Sequence, residues 1–244
     1  MLLEQTIAKM GTMRLTSMAN SFKERLSRGD HNDLSVEEFV GLLIDDEFSA
    51  RQNRRLSRMI GKADFKPENA CIENIIYNPT RGFQKKDIMQ FTQTTWLNNC
   101  QNIIFVGPTG TGKTYLSETI GLQACKMGFP VKKIRLTRLF EEIRSHRGAG
   151  LYLKFVEKLN KFKVLIIDDF LMANVTNQDL TELMDVLEDR NMRSSIIITT
   201  QYPINKWHSL LPDPTVADAI CDRLKHGSII FNLKGESMRK KYKK

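Results

Sequence analysis

Apolar and polar positions follow two different rhythms along this chain. From residue 102 onward short aliphatic runs recur at Ile103-Ile104-Phe105-Val106, Val164-Leu165-Ile166-Ile167, Ile196-Ile197-Ile198 and Ile229-Ile230-Phe231. Near-continuous runs of this kind mark strands covered on both faces, as in a parallel sheet. Strands are predicted over 102–106, 131–135, 164–168, 195–200 and 229–233, with helical patterns between them such as Tyr115 to Met127, closed by Gly128. The expected fold class is α/β with a five-stranded parallel sheet. Before residue 102 the period is helical. Leu15, Met18, Phe22 and Leu26 share a face over residues 1–28, read as one or two helices, and Gly29-Asp30 breaks the pattern. Ser35 and Glu38 form a capping box ahead of Phe39, Leu42, Leu43 and Phe48, in a helix that runs to about Ile60. Residues 1–64 are therefore expected to be a small all-helical domain. Residues 65–101 are a junction punctuated by Pro67, Pro79 and Gly82, with a helix over 85–97; residues 102–235 are the core and 236–244 a basic tail.

The first aliphatic run feeds Gly107-Pro108-Thr109-Gly110-Thr111-Gly112-Lys113-Thr114, a G-x-x-x-x-G-K-T loop between a strand and a helix. Glycines let the backbone N–H groups turn toward phosphates, the lysine reaches the β and γ oxygens, and the threonine hydroxyl suits Mg²⁺. The motif predicts binding of a nucleoside triphosphate, with ATP and Mg²⁺ as cofactors. A buried strand ending in Asp168-Asp169 supplies the second half of such a site. Asp168 is expected at the Mg²⁺, directly or through water, and Asp169 at the attacking water. The strand ending in Thr199-Thr200-Gln201 brings Thr200 or Gln201 beside the phosphates, although a plain strand-end turn before Pro203 explains the same letters. Arg223, on a helical segment, suits an arginine finger offered to a neighbouring subunit, or else a local pair with Asp218 or Asp222.

Charge narrows the partners. The net charge is +9, and residues 101–244 hold 23 basic against 15 acidic side chains, whereas residues 1–100 hold 14 and 13. Eleven Lys/Arg lie between Lys126 and Lys163 against three Glu, and Arg239, Lys240, Lys241, Lys243 and Lys244 crowd the tail. A basic nucleotide-binding core points to nucleic acid through phosphate neutralisation, with a merely solvated basic face as the alternative. Arg51, Arg54, Arg55 and Arg58 pose the same choice between a phosphate backbone and pairing with Asp45, Asp46 and Glu47. Four widely spaced cysteines, Cys71, Cys100, Cys125 and Cys221, indicate neither a zinc site nor a disulfide framework. No apolar stretch approaches the ~20 residues of a membrane span, and the start has no signal-like pattern, so no membrane partner and a cytoplasmic location are expected.

The order of these motifs resembles one family specifically. Leu15-Thr16-Ser17-Met18-Ala19, Leu187-Glu188-Asp189-Arg190, Arg193-Ser194-Ser195-Ile196-Ile197, Asp213-Pro214-Thr215-Val216-Ala217-Asp218-Ala219-Ile220 and Lys234-Gly235-Glu236-Ser237-Met238-Arg239-Lys240 look like the IstB family, the ATP-binding helpers of IS21-type insertion sequences, related to the DnaC and DnaI helicase loaders. The resemblance implies an AAA+ P-loop ATPase that forms a homo-oligomer with ATP on double-stranded DNA and recruits and stimulates an IS21-type, IstA-like transposase. It implies that Lys113 and Thr114 are the phosphate-loop residues, Asp168 and Asp169 the acidic pair, Gln201 with Thr200 the polar sensor, and Arg223 the finger. In initiator-type AAA+ proteins the elements after the second strand face the central channel. Here those elements carry Arg138, Arg144, His146, Arg147, Lys154 and Lys158, the implied DNA-binding residues. One departure is Leu171, where the family commonly has glycine. A C-terminal helical lid has no room, leaving Arg239 as a substitute for its sensor arginine. A helicase loader remains the alternative function, and a metabolic kinase is disfavoured because no second substrate pocket is legible.

Overall fold

The computed structural model describes residues 2–65 and 71–238, so Pro67 and the cationic tail Arg239 to Lys244 lie outside the described residues. The chain divides between Arg58 and Met59 into two compact units.

The first unit contains α1 (Leu2–Thr12), α2 (Thr16–Arg28) and most of α3 (Val36–Ala63). The described part of the stretch read as one or two helices, residues 2–28, thus holds two. Gly29 ends α2 in the left-handed region at φ 83°, a conformation costly for residues with a Cβ. The capping box forms as expected: Ser35 N–H donates to Glu38 Oε2 at 2.9 Å and Glu38 N–H to Ser35 Oγ at 3.2 Å. Glu47 of α3 is buried and accepts from Ser17 N–H at 2.9 Å and Met18 N–H at 3.0 Å. Those amides belong to the first turn of α2 and have no intrahelical partner, so α3 caps α2 from a distance. Arg51 at 2.7 Å and Arg54 at 3.2 Å complete the carboxylate's shell. The Arg51 hydrogen bond, then the Met18 amide, hold its pKa below the usual glutamate value. Two of the four candidate phosphate-binding arginines on α3 are therefore committed to an ion-pair network.

In the second unit the junction holds α4 (Lys85–Met89) and α5 (Thr95–Asn98), joined by a 3₁₀ turn at Gln90–Thr92. The single helix expected over 85–97 is broken, with Gln93 extended at φ −106°, ψ 154°. On one continuous helix Phe91 and Trp96 would point about 140° apart. The break brings both rings into the core, edge to face at 5.6 Å.

The remaining elements alternate: β1 (Ile103–Val106), α6 (Lys113–Lys126), β2 (Val131–Arg135), α7 (Leu136–Gly148), α8 (Tyr152–Asn160), β3 (Val164–Phe170), α9 (Asn177–Arg190), β4 (Ser195–Thr200), α10 (Trp207–Leu210), α11 (Pro214–Lys225) and β5 (Ile229–Asn232). The sheet is parallel throughout, ordered β2-β3-β4-β1-β5. Every residue of β1 and β4 is buried, as the uninterrupted aliphatic runs require. Each fully buried Ile, Leu or Phe contributes about 1.5–3 kcal/mol, which makes the strands the anchor for the loops at their carboxyl ends. Among the described residues no helical lid follows β5, and no helix is long and apolar enough to cross a membrane.

β3 is two residues longer than the strand expected over 164–168. Its register with β4 shifts between Ile167↔Ile198 and Phe170↔Thr200, three steps on β3 against two on β4. One residue is therefore extra, and Asp169, at φ 56°, takes that place. A bulge of this kind re-aims a side chain at a strand end. Leu171, at φ 61°, occupies the left-handed region that glycine tolerates best, while its side chain is buried.

The cap of α11 gives a direct stability test. Asp213 Oδ1 accepts from Thr215 N–H at 2.9 Å and Val216 N–H at 3.0 Å, with Pro214 in the first turn. Asp213→Ala should lower unfolding stability by about 1 kcal/mol, read as a fall in the urea midpoint. An unchanged midpoint would show that solvent satisfies those amides equally well.

Candidate nucleotide-binding site

The loop after β1 winds into the first turn of α6, so its amides and the positive end of the helix converge on one place. Gly110 and Gly112 sit at φ 86° and 92°, values that let the chain fold back without a Cβ in the way. The Lys113 ammonium is buried and donates to Gly107 O at 2.6 Å and Pro108 O at 2.9 Å. It is thus held by carbonyls of its own loop. Thr111 Oγ1 donates to Pro108 O at 2.9 Å, closing the loop on itself.

Two segments brace this loop from outside, and sequence reading missed both. Arg81 of the junction donates through Nη2 to Thr111 O and through Nη1 to Ile76 O, each at 2.7 Å. Beyond β5, Lys234 N–H reaches Arg81 O at 3.1 Å and Met238 N–H reaches Gly110 O at 2.8 Å, while Ser237 packs against the position a Cβ on Gly110 would fill. The Glu236-Ser237-Met238 stretch, read as the start of a basic tail, is a strap across the phosphate loop.

Across from the loop, β3 delivers the acidic pair. Thr114 Oγ1 donates to Asp168 Oδ1 at 3.0 Å, and Thr199 Oγ1 donates to the same oxygen. Lys133 of β2 lies 3.2 Å from Asp168 Oδ2 and 2.5 Å from Glu118 Oε1 of α6, with all three charged groups buried. Burial by itself lowers the lysine pKa, but the Glu118 hydrogen bond and the Asp168 charge outweigh it and hold the value above the ordinary one. Asp169 is exposed, 3.6 Å from Arg135 Nε, and its own N–H donates to Thr199 Oγ1 at 3.2 Å. The bulge therefore gives two adjacent carboxylates different surroundings, one locked and one facing solvent.

Of the sensor candidates, Thr200 is buried and donates to Phe170 O at 2.9 Å, and Gln201 is half-buried just past β4. The hydroxyl that touches Asp168 belongs to Thr199, which sequence reading passed over. The register aligns Ile167 with Ile198, so the next residue of each strand meets across the ladder. Arg223 is half-buried and held by Glu188 of α9 at 2.5 Å and by Ala219 O at 3.2 Å, rather than by Asp218 or Asp222.

The cationic cluster after β2 is largely neutralised within the subunit. Arg138 pairs with Glu141 at 3.1 Å and Glu142 at 3.3 Å; Arg144 pairs with Asp179 at 2.6 Å; Arg147 pairs with Glu182 at 3.3 Å and Asp185 at 3.5 Å, lying over the Tyr152 ring. His146 stacks on Phe155 at 4.5 Å. Lys154 and Lys158 project from α8 as exposed side chains.

A donor set of a threonine hydroxyl and a carboxylate, both hard oxygens already in contact, fits Mg²⁺ beside a triphosphate. Thr114 and Asp168 are the residues that would hold it. A parallel sheet in this order, a phosphate loop after β1 and an acid at the end of β3, with β4 between the two strands, define a P-loop ATP-binding protein of the AAA+ fold. The chain matches the family of IstB-like ATP-binding proteins over residues 8–244, and it belongs to that family. It is 36% identical over 240 residues to an insertion-sequence ATP-binding protein of Sinorhizobium fredii, covering 98% of each chain. It is 32% identical to the ATP-binding protein of insertion sequence IS1162 from Pseudomonas fluorescens, over 83% of this chain and 88% of that one. Among solved structures, the DnaC helicase loader superposes with a TM-score of 0.59 at 19% identity, over 68% of this chain and 97% of that one, a likeness of fold.

Proposed function

We propose that this chain is an AAA+ ATPase of DNA transposition: it oligomerises with ATP on duplex target DNA and recruits and stimulates a partner transposase of the IS21 type. The observation that carries the reading is the Thr114–Asp168 hydrogen bond, which joins the phosphate loop to the acid strand, in a chain whose relatives along its whole length are insertion-sequence ATP-binding proteins. When bound, Mg²⁺ would neutralise charge on the β and γ phosphates. The loop amides and Lys113 bind the phosphates, Thr114 and Asp168 hold the metal, Asp169 orients the attacking water, and Thr200 or Gln201 senses the γ-phosphate. Arg223 acts on the nucleotide of a neighbouring subunit, after exchanging Glu188 for phosphate. Relatives spanning nearly the full chain favour this reading over a helicase loader, for which the likeness is one of fold over 68% of the chain.

The test is sedimentation and electron microscopy of the protein with Mg²⁺ and a duplex of several tens of base pairs. A multi-subunit assembly is expected with ATP and not with ADP. A monomer under ATP, or assembly on single strands alone, would reject it.

DNA contact belongs, in this reading, to Arg138, Arg144, His146, Arg147, Lys154 and Lys158. The internal pairs of the arginines grade their contributions. Lys154→Ala with Lys158→Ala should lower the salt slope of duplex binding by roughly two units, regardless of sequence. Arg144→Ala with Arg147→Ala should lower it by less, because carboxylates on α9 already neutralise those groups. A slope unchanged in both variants would leave this surface a solvated face.

A further inference from the structure

β2 carries a lysine where a strand covered on both faces normally carries an aliphatic side chain. Lys133 is buried, and its ammonium bridges two buried carboxylates on different elements, Glu118 on α6 and Asp168 on β3. Burying three charges is costly unless each is paired and hydrogen-bonded, so the arrangement is not explained by packing alone. Its geometry is asymmetric. Asp168 receives Lys133 on Oδ2, while Oδ1 accepts the hydroxyls of Thr114 and Thr199. A carboxylate's terminal torsion is broad, and either oxygen of a free aspartate can turn toward a ligand. Here three donors from β2, α6 and β4 hold its plane.

We propose that Lys133, anchored by Glu118, is a positioning residue for Asp168: it occupies Oδ2, so that Oδ1, beside Thr114, is the oxygen presented to the Mg²⁺ that accompanies ATP. This rests on the reading of Thr114 and Asp168 as the metal-holding pair. Glu118 has a distinct part. It gives the buried trio a net negative charge, so that Lys133 orients Asp168 without cancelling the site's attraction for a cation.

The pair can be deleted at constant net charge. Lys133→Met together with Glu118→Met removes one positive and one negative group and keeps similar volume, a replacement that buried ion pairs commonly tolerate. The measurement is binding of a fluorescent ATP analogue, titrated with Mg²⁺ and repeated in EDTA. The expected result is a loss of about tenfold in apparent Mg²⁺ affinity, in line with other outer-shell partners of metal ligands, and Mg²⁺-free nucleotide affinity within about twofold of the parent. A purely structural pair would move the thermal midpoint and leave the Mg²⁺ titration unchanged, and that outcome overturns the proposal. Should the parent protein itself show no Mg²⁺ dependence, the reading of Thr114 and Asp168 fails instead.

A second measurement needs no folded variant. In protein with ¹⁵N-labelled lysine, the ion-paired Lys133 ammonium should give a slowly exchanging resonance that shifts when Mg²⁺ is added to the ATP-bound state. A resonance indifferent to Mg²⁺ overturns the proposal equally.

Discussion

Lys113→Ala is expected to abolish ATP binding. Its ammonium donates to two loop carbonyls, Gly107 O and Pro108 O; in the proposed reading it would exchange them for phosphate oxygens when nucleotide enters, and both new interactions would be charge-assisted. Two such hydrogen bonds are together worth about 3–6 kcal/mol, or roughly two to four orders of magnitude in affinity. Asp169→Asn should behave differently. Asp169 occupies the bulge at φ 56°, a conformation that asparagine accepts, and it is not the carboxylate that touches Thr114. This variant should bind ATP within a few-fold of the parent and hydrolyse it slowly. Equilibrium titration with a fluorescent ATP analogue, beside single-turnover hydrolysis, separates the two lesions. Equal loss of affinity in both would mean the two aspartates have been assigned the wrong way round, and a thermal melt of each variant checks that the loop still folds.

Arg223→Ala should leave ATP binding nearly normal and remove most turnover, by about 10³-fold if the residue acts as a finger in the neighbouring site. Within one subunit the arginine closes an ion pair with Glu188 between α11 and α9, a partly exposed contact worth about 0–1 kcal/mol, and donates to Ala219 O of its own helix. A large kinetic effect with a small change in stability therefore signals a role outside the subunit. Glu188→Gln is the matched control, because it frees Arg223 without removing it and should keep turnover at or above the parent level. Mixing Arg223→Ala with Asp169→Asn tests the sharing directly. A mixed interface in which the Asp169→Asn subunit offers Arg223 to the nucleotide of the Arg223→Ala subunit pairs an intact finger with an intact acid, so activity should return in part. No recovery at any ratio, or an equal loss in Glu188→Gln, would confine Arg223 to holding two helices together.

Most of the nucleotide-binding arrangement was legible along the chain because its signals are local. The phosphate loop is one contiguous stretch, and the aliphatic runs report burial on both faces of each strand. The Ser35–Glu38 capping box is likewise contained within four residues and forms as read. Even the unusual Leu171 left a trace, since a leucine where the resembling family commonly has glycine falls at a left-handed residue. The broken helix over 85–97 was hidden for the opposite reason. Its helix-compatible letters are overruled by the burial of Phe91 and Trp96 in one core, a long-range demand that local propensity does not record.

The chain alone pointed to a phosphate loop, to the strand and helix that flank it, and to the pair of aspartates expected across from it. Tertiary structure decided how those groups are surrounded. Lys133 and Glu118 are 15 residues apart and Thr199 lies 31 beyond Asp168, yet they converge on one carboxylate. Met238 closes on Gly110 from the far end of the core, and carboxylates on α9 neutralise the arginines of α7. Periodicity along a sequence reports which face of an element is buried, because burial repeats every 2 or 3.6 residues. It carries no record of which buried polar groups meet, since that depends on strand order, on register, and on one extra residue in β3.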